Sequence, residues 1–350
     1  MQQITRFILL PAVIGTVLGL MIIMFNPNDD DRPGYAAAVA KASPSVVNIY
    51  TTKITQSSML CRIPAYKSLC NAFGAQPQVQ NSLGSGVIVG ADGYVLTNQH
   101  VVSGADEILV MFANNQTTTA QVIGSDSHTD LAVIKVEASG LPVIPQLSAK
   151  QSDTPRVGDV ALAIGNPFGL GHSVSQGIIS AFSRSLITNS PYDDFIQTDA
   201  AISPGNSGGA LVDHQGRLLG INTMIYSQSG GSEGIGFAIP AEIALGIMEQ
   251  IVEHGRVIRG WLGVSLTPQP LPMAVGGLRV TALAQGGPAQ SAGLRLGDVI
   301  LSVDKQAANN AYLVTTQIAN TAPGQPLELQ VMRSNQRFRT TAIAGELPTP

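Results

Sequence analysis

The spacing of apolar residues divides the chain into three regimes. The first is a charge-free run over 7–25, FILLPAVIGTVLGLMIIMF, close to the ~20 residues that cross a bilayer as a helix. The second is a series of short apolar runs separated by turn residues. It predicts strands over 46–51, 86–89, 94–97, 108–112, 121–124 and 131–136, then over 160–164, 174–182, 211–212, 218–223 and 236–239. Ala91-Asp92-Gly93 and His214-Gln215-Gly216 read as tight turns between strands, and many short strands with regular turns predict an all-β barrel or sandwich. The stretch 35–42 is Ala-rich and predicts a short helix that stops before Pro44, whereas 53–82 is polar and reads as unstructured. Helical spacing appears over 241–254, where Ile243, Ile247, Met248, Ile251 and Val252 share a face and Gly255 stands at C′. The third regime, 261–344, alternates strands (279–283, 298–303, 327–332, 337–343) with helices (288–292, 311–321), a small α+β module.

Charge gives the first run an orientation. Arg6 precedes it and Asp29, Asp30 and Asp31 follow, so the remainder of the chain is expected on the far side of the membrane. A cleaved signal peptide is the rival, with the small residues Ala36 to Ala38 as a weak cleavage site; the length favours an anchor. Net charge is −4, and without a basic patch interleaved with aromatics no nucleic acid is expected as a partner. The 37 glycines against 5% aromatics suit a turn-rich β protein. The two cysteines, Cys61 and Cys70, are too few for a zinc site; they suit either a loop-closing disulfide in an oxidising compartment or two free thiols. Neither a metal site, a P-loop nor a dinucleotide fingerprint is legible, and no cofactor is expected.

Three short segments carry chemistry: Thr97-Asn98-Gln99-His100-Val101, Thr129-Asp130-Leu131 and Gly205-Asn206-Ser207-Gly208-Gly209. A serine hydroxyl becomes a nucleophile when a histidine takes its proton and a carboxylate holds the imidazole. Taken singly, each residue has an ordinary structural account: a solvated histidine, a strand-start cap, a glycine-rich loop. Together, in the order His, Asp, Ser on a β-rich background, they read as a catalytic set of chymotrypsin type. The glycines around Ser207 let the backbone turn sharply, so the amides of Gly205 and Ser207 are expected to form an oxyanion hole. The third segment also satisfies G-x-S-x-G, but an α/β-hydrolase needs a helix after the serine and the order Ser, Asp, His. Here strand, turn, strand follows instead.

The segments TNQHV, HTDLAV, AIGNPFGLG, QGIIS, IQTDAAISPGNSGGALV, GINT and GIGFAIP together resemble the HtrA (Deg) serine proteases over roughly 35–345. One N-terminal anchor, one C-terminal PDZ domain and the segments VIRGWLGV and IVEHG are most similar to the DegS/AlgW branch of periplasmic stress sensors. The segment 53–82, with its two cysteines, is longer than that branch has. The resemblance implies a mainly β fold: an anchor (1–26), a linker (27–34), a double β-barrel protease domain (35–257) and a PDZ domain (258–350). It implies a homotrimer with Tyr35 at the contact, and Gly205, Asn206 and Ser207 in the oxyanion loop. Arg184 falls where the family relays activation from the PDZ side.

In chymotrypsin-like folds the residue six before the nucleophile lies at the base of the primary specificity pocket. Ala201 stands there, with Ile202 and Ile225 as walls, which implies cleavage after small or medium apolar residues. Zymogen-activated relatives carry an aspartate just before the serine; Asn206 stands there instead, so control is expected from the PDZ domain. Trp261-Leu262-Gly263-Val264 resembles the loop with which PDZ domains capture a peptide's C-terminal carboxylate. The expected partners are C-terminal peptides of misfolded outer-membrane proteins, the inner membrane, and a membrane anti-sigma factor as substrate. Alternatives are a broad periplasmic quality-control protease and a non-catalytic chaperone or scaffold.

Overall fold

The computed structural model describes residues 34–55, 78–148, 154–166, 171–184, 192, 194–225, 233–268 and 276–348. The expected anchor, most of the linker, Cys61 and Cys70 lie outside them, as do the side chains of Arg184 and Ile225. Among the described residues no helix is long and apolar enough to cross a membrane.

Helix α1 (Ala36–Ala42) and a 3₁₀ turn at Ser43–Ser45 lead into the first barrel. Its strands are β1 (Val46–Thr55), β2 (Gln78–Ile88), β3 (Tyr94–Asn98), β4 (Glu107–Met111), β5 (Thr117–Asp126) and β6 (Leu131–Val136), closed in the order β1-β2-β3-β6-β5-β4. The second barrel contains β7 (Val160–Gly165), β8 (Ser173–Arg184), β9 (Phe195–Thr198), β10 (Ala210–Val212), β11 (Leu218–Ile225) and β12 (Gly236–Pro240), closed as β10-β11-β12-β9-β8-β7.

Strand alternation explains why β7, and β6 but for Lys135, read as unbroken apolar runs. On β6, Ala132, Ile134 and Val136 fill the first barrel, while Leu131 and Val133 point into the seam between the barrels. On β7, Ala161 and Ala163 fill the second barrel, and Leu162 and Ile164 meet the first across that seam. Both faces are buried, so the polar half of the alternation is missing.

Helix α2 (Gln99–Val102) is a single turn after β3, too short to show a period. Helix α3 (Ala241–His254) has the expected bounds and ends on Gly255 with φ 73°. Its face is shifted from expectation: Ala244, Ile247 and Ile251 are buried against the inter-barrel core, with Ile243 and Met248 partly so, whereas Val252 is exposed. The expected unstructured stretch 53–82 is corrected at both ends. There β1 and β2 run on as a ladder to the pair Thr55 and Gln78.

The C-terminal unit has its own core, built only from residues 262–344. A two-stranded ribbon joins β13 (Gly260–Trp261) to β20 (Gly345–Glu346). The larger sheet runs β14 (Val264–Pro268), β15 (Leu278–Leu283), β16 (Val299–Val303), β18 (Pro326–Arg333), β19 (Gln336–Ile343), with β17 (Gln306–Ala307) paired to β16. Helices α4 (Pro288–Ser291) and α5 (Ala311–Ala319) complete it; Asn310 caps α5 by accepting from the Tyr312 and Leu313 amides. Strand β14 has one ladder partner, β15, and its other edge is open among the described residues.

Candidate active site

His100 and Asp130 of the first barrel meet Ser207 of the second through Thr223. Helix α2 carries His100, its turn held by the buried Val101 and Val102. Asp130 sits just before β6 with φ 57°, a left-handed conformation that aspartate tolerates better than most residues. Its carbonyl accepts from the Gln99 N–H at 3.0 Å and Asn98 Nδ2 at 2.9 Å. Its carboxylate receives the His100 N–H at 3.0 Å through Oδ1 and pairs with His100 Nδ1 at 2.7 Å through Oδ2. The imidazole is half exposed, and its Nε2 is the nitrogen left for another partner.

Ser207 belongs to the second barrel's loop between β9 and β10. Its hydroxyl donates to the Thr223 carbonyl at 2.9 Å, and no described hydrogen bond joins it to His100. The Thr223 hydroxyl in turn donates to Asp130 Oδ2 at 2.9 Å, so one residue of β11 touches both nucleophile and carboxylate. To lose its proton, Ser207 must exchange Thr223 O for His100 Nε2; such contacts often tighten only with substrate bound. Sequence reading missed Thr223. The segment GINT was visible as a motif, but nothing in it shows that a β11 hydroxyl reaches the first barrel.

The loop preceding Ser207 is tightly turned. Gly205 has φ 97° and Gly208 φ 82°. A Cβ on Gly208 would lie 2.1 Å from the Ser85 carbonyl oxygen, so both backbone conformation and space demand glycine there. The N–H groups of Gly205 and Ser207 donate to no described carbonyl, which leaves them available to a developing oxyanion. Asn206 is buried. Ala201 is exposed, its carbonyl tied to Ser175 Oγ at 2.6 Å. Ile202 is buried and packs on Gly236, where an added Cβ would meet its Cδ1 at 2.9 Å. Ile225 pairs with that same Gly236 in the β11–β12 ladder. Arg184 ends β8 opposite Phe195, and Tyr35 packs partly against the inter-barrel core.

In the C-terminal unit, Trp261 to Val264 form the turn from β13 into β14. Leu262 is buried, Gly263 has φ 72°, and the N–H groups of Leu262 and Gly263 donate to no described backbone acceptor. They lie at the start of the sheet's open edge.

Arg259 immediately precedes β13 and reaches back into the protease barrel. Its guanidinium binds both carboxylate oxygens of Asp126 at 2.7 Å, the geometry of a bidentate pair, and lies 4.7 Å from the centre of the Tyr192 ring. Asp126 also accepts from the Thr129 hydroxyl at 2.5 Å. Burial pushes its carboxyl up, but the hydrogen bond and charge of Arg259 outweigh this and hold it below the usual carboxylate range. Asp194 has the opposite balance: burial pushes it up, opposed by hydrogen bonds with Ser183 and with Tyr312 of α5. Arg259 was visible only as one residue of VIRGWLGV, and its partner lies far away in sequence. Among the described residues no cluster of His, Cys, Asp or Glu is arranged to hold a metal.

Residues 84–221 match the trypsin-like peptidase domain family, and residues 260–343 match the PDZ domain family. Two closed barrels, a His–Asp pair and a facing serine loop define a trypsin-like serine protease with a PDZ domain attached. The chain is 39% identical over 344 residues to the serine endoprotease DegS of Haemophilus influenzae, covering 96% of each. It is 40% identical over 341 residues to a probable periplasmic serine endoprotease, DegP-like, of Ectopseudomonas mendocina, covering 90% of this chain and 71% of the relative. The HtrA-type protease AlgW with a decapeptide superposes with a TM-score of 0.79 at 46% identity, covering 91% of this chain and 100% of that one. The chain belongs to the HtrA-type serine endoproteases.

Proposed function

We propose that this endoprotease is anchored in the bacterial inner membrane by its apolar N-terminal run, works in the periplasm as a homotrimer, and is switched on by peptides at its PDZ domain. In this reading His100 Nε2 takes the Ser207 proton as Oγ attacks the scissile carbonyl. Asp130, facing Nδ1, holds the ring and stabilises the imidazolium. The oxyanion is received by the N–H groups of Gly205 and Ser207, and His100 then returns the proton to the leaving amine. Water completes the cycle by releasing the acyl group from Ser207. The uncharged Ala201 and the apolar Ile202 and Ile225 favour cleavage after small or medium apolar residues such as valine or alanine.

The observation that carries the regulatory half is the open edge of β14, which begins at the unengaged amides of Leu262 and Gly263. An extended peptide adds to such an edge as a strand, its terminal carboxylate on the amides and its side chains in alternate pockets. AlgW, a solved relative, binds a decapeptide and a tripeptide. The proposed activators are C-termini of misfolded outer-membrane proteins, and the proposed substrate is a membrane anti-sigma factor. Arg184 and the Arg259–Asp126 pair are candidates for the relay between the domains.

The DegP-like relatives favour a second reading, broad quality control of unfolded periplasmic proteins. One experiment tests both. Peptidase activity of the full chain is measured with and without peptides ending in a free apolar carboxylate, on casein and on a single-pass anti-sigma factor. Stimulation by peptide, preference for the anti-sigma factor, and a loss of roughly 10³-fold or more in Ser207→Ala are expected. Peptide-independent cleavage of casein would support the second reading. Unchanged activity in Ser207→Ala would remove Ser207 as the nucleophile, and no cleavage by the unmodified chain with or without peptide would leave a scaffold.

A further inference from the structure

The loop that supplies the oxyanion N–H groups belongs to the second barrel, yet the carbonyls of Gly205 and Ser207 are both tied to one residue of the first. Ser85, on β2, is fully buried. Its main-chain N–H donates to the Ser207 carbonyl at 2.8 Å. Its hydroxyl donates to the Gly205 carbonyl at 2.7 Å and accepts the Asn166 N–H at 2.9 Å. Its own carbonyl accepts from Thr97 Oγ1 at 2.7 Å, on the strand that leads into His100. The loop's other main-chain ties are internal or to its own barrel: Asn206 N–H to Ser203 O, Gly209 N–H to Asn206 O, Gly208 N–H to Asn222 O, and Asn222 N–H to Gly209 O.

A residue's C=O heads the peptide plane that follows its Cα and its N–H ends the plane that precedes it, so holding the carbonyl anchors the Cα and leaves only that residue's φ and ψ to redirect the amide. Gly205 and Ser207 are the two residues whose amides await the oxyanion, and each has its carbonyl held by Ser85. Gly205, with φ 97°, has no Cβ to restrict its backbone and therefore depends on such a hold. The Ser85 hydroxyl is locked in turn, because Asn166 supplies a donor to it and leaves its proton for Gly205 O. We propose that Ser85 is the positioning residue of the oxyanion hole, its hydroxyl fixing the Gly205 peptide so that the Gly205 and Ser207 amides stay aimed at the substrate oxygen. This rests on the reading of Ser207 as nucleophile and of those two amides as its oxyanion donors.

The chemistry of the hole sets the test. A misaimed donor weakens the tetrahedral state and leaves ground-state binding alone, so its loss appears in kcat rather than KM. Removing a donor outright lowers kcat by about 10²–10³-fold; loosening one through its support is expected to act about 10–100-fold. Full-chain Ser85→Ala, which keeps the main-chain tie to Ser207, is compared with the unmodified protein on a fluorogenic peptide that the latter cleaves. Expected are a 10–100-fold lower kcat, KM within twofold, and an equal loss of affinity for a peptidyl boronate, whose adduct carries the anionic oxygen. Ser85→Cys keeps the volume with a weaker donor, should retain more kcat than Ser85→Ala, and carries the test should the alanine variant not fold. A kcat within twofold of the unmodified protein, or a loss borne by KM, overturns the proposal. Ser207→Ala in parallel separates the two ideas: if it is inactive while Ser85→Ala is not impaired, only the role of Ser85 fails.

Discussion

Thr223 shows how a single side chain can serve two barrels. It is buried, its carbonyl takes the Ser207 hydroxyl, and its own hydroxyl meets the Asp130 carboxylate. Replacing it by valine keeps the shape and the carbonyl but removes the donor from a charged acceptor, a contact that contributes about 1.5–3 kcal/mol. Thr223→Val is therefore expected to lower kcat/KM about tenfold or more, with KM little changed, in a steady-state peptide assay. His100, Asp130 and Ser207 were legible because their residue types and order name a reaction. Thr223, Ser85 and Asp126 were not, since a threonine, a serine and an aspartate on strands look the same whether they face water or another strand.

Among the elements, legibility followed the length of the apolar run. The apolar runs of β6 and β7 marked themselves, as did α3 with its helical period and terminal Gly255. The far ends of β1 and β2 are mostly polar, with the exposed pair Ile54 and Val79 too sparse to mark a face, and escaped notice, as did the four residues of β9 and the single turn of α2. Val252 was misplaced because apolar residues at 248, 251 and 252 define an arc too broad to fix which edge faces inward; the barrels chose Ala244, Ile247 and Ile251. That choice has a measurable consequence. Ile251 is fully buried where α3 bridges the two barrels, so Ile251→Ala should destabilise the protease domain by about 2–5 kcal/mol. Val252→Ala, at an exposed site, should change stability by less than about 0.5 kcal/mol. Urea unfolding of the two variants distinguishes the faces.

At the scale of the molecule, the passage from α3 to the PDZ unit is pinned on both sides. Gln250 accepts from the Ile258 N–H at 3.0 Å, Arg256 pairs with Glu346, the Arg259 carbonyl accepts from the Leu347 N–H at 2.9 Å, and the Arg259 side chain holds Asp126. Removing one partner of a buried pair leaves the other uncompensated, at a cost of about 3–5 kcal/mol. Arg259→Ala should therefore destabilise the chain by that order, and Arg259→Ala with Asp126→Ala should recover part of it, as a double-mutant cycle would record. The Asp126 carboxyl is held below its unfolded value, so its contribution is complete above the ordinary carboxylate range and fades as pH falls through the depressed folded value. An acid titration of stability should lose this component below about pH 4, and Asp126→Asn should remove it from the curve.

The division of the candidate site between two barrels also bears on how the protein is made. His100 and Asp130 lie in the first half of the protease domain, and Ser207 follows only with the second. Domains emerge from synthesis amino end first, so a partly made chain holds a base and its carboxylate with no hydroxyl to activate. On the proposed roles of these three residues, hydrolytic capacity arrives only with the docking of the second barrel.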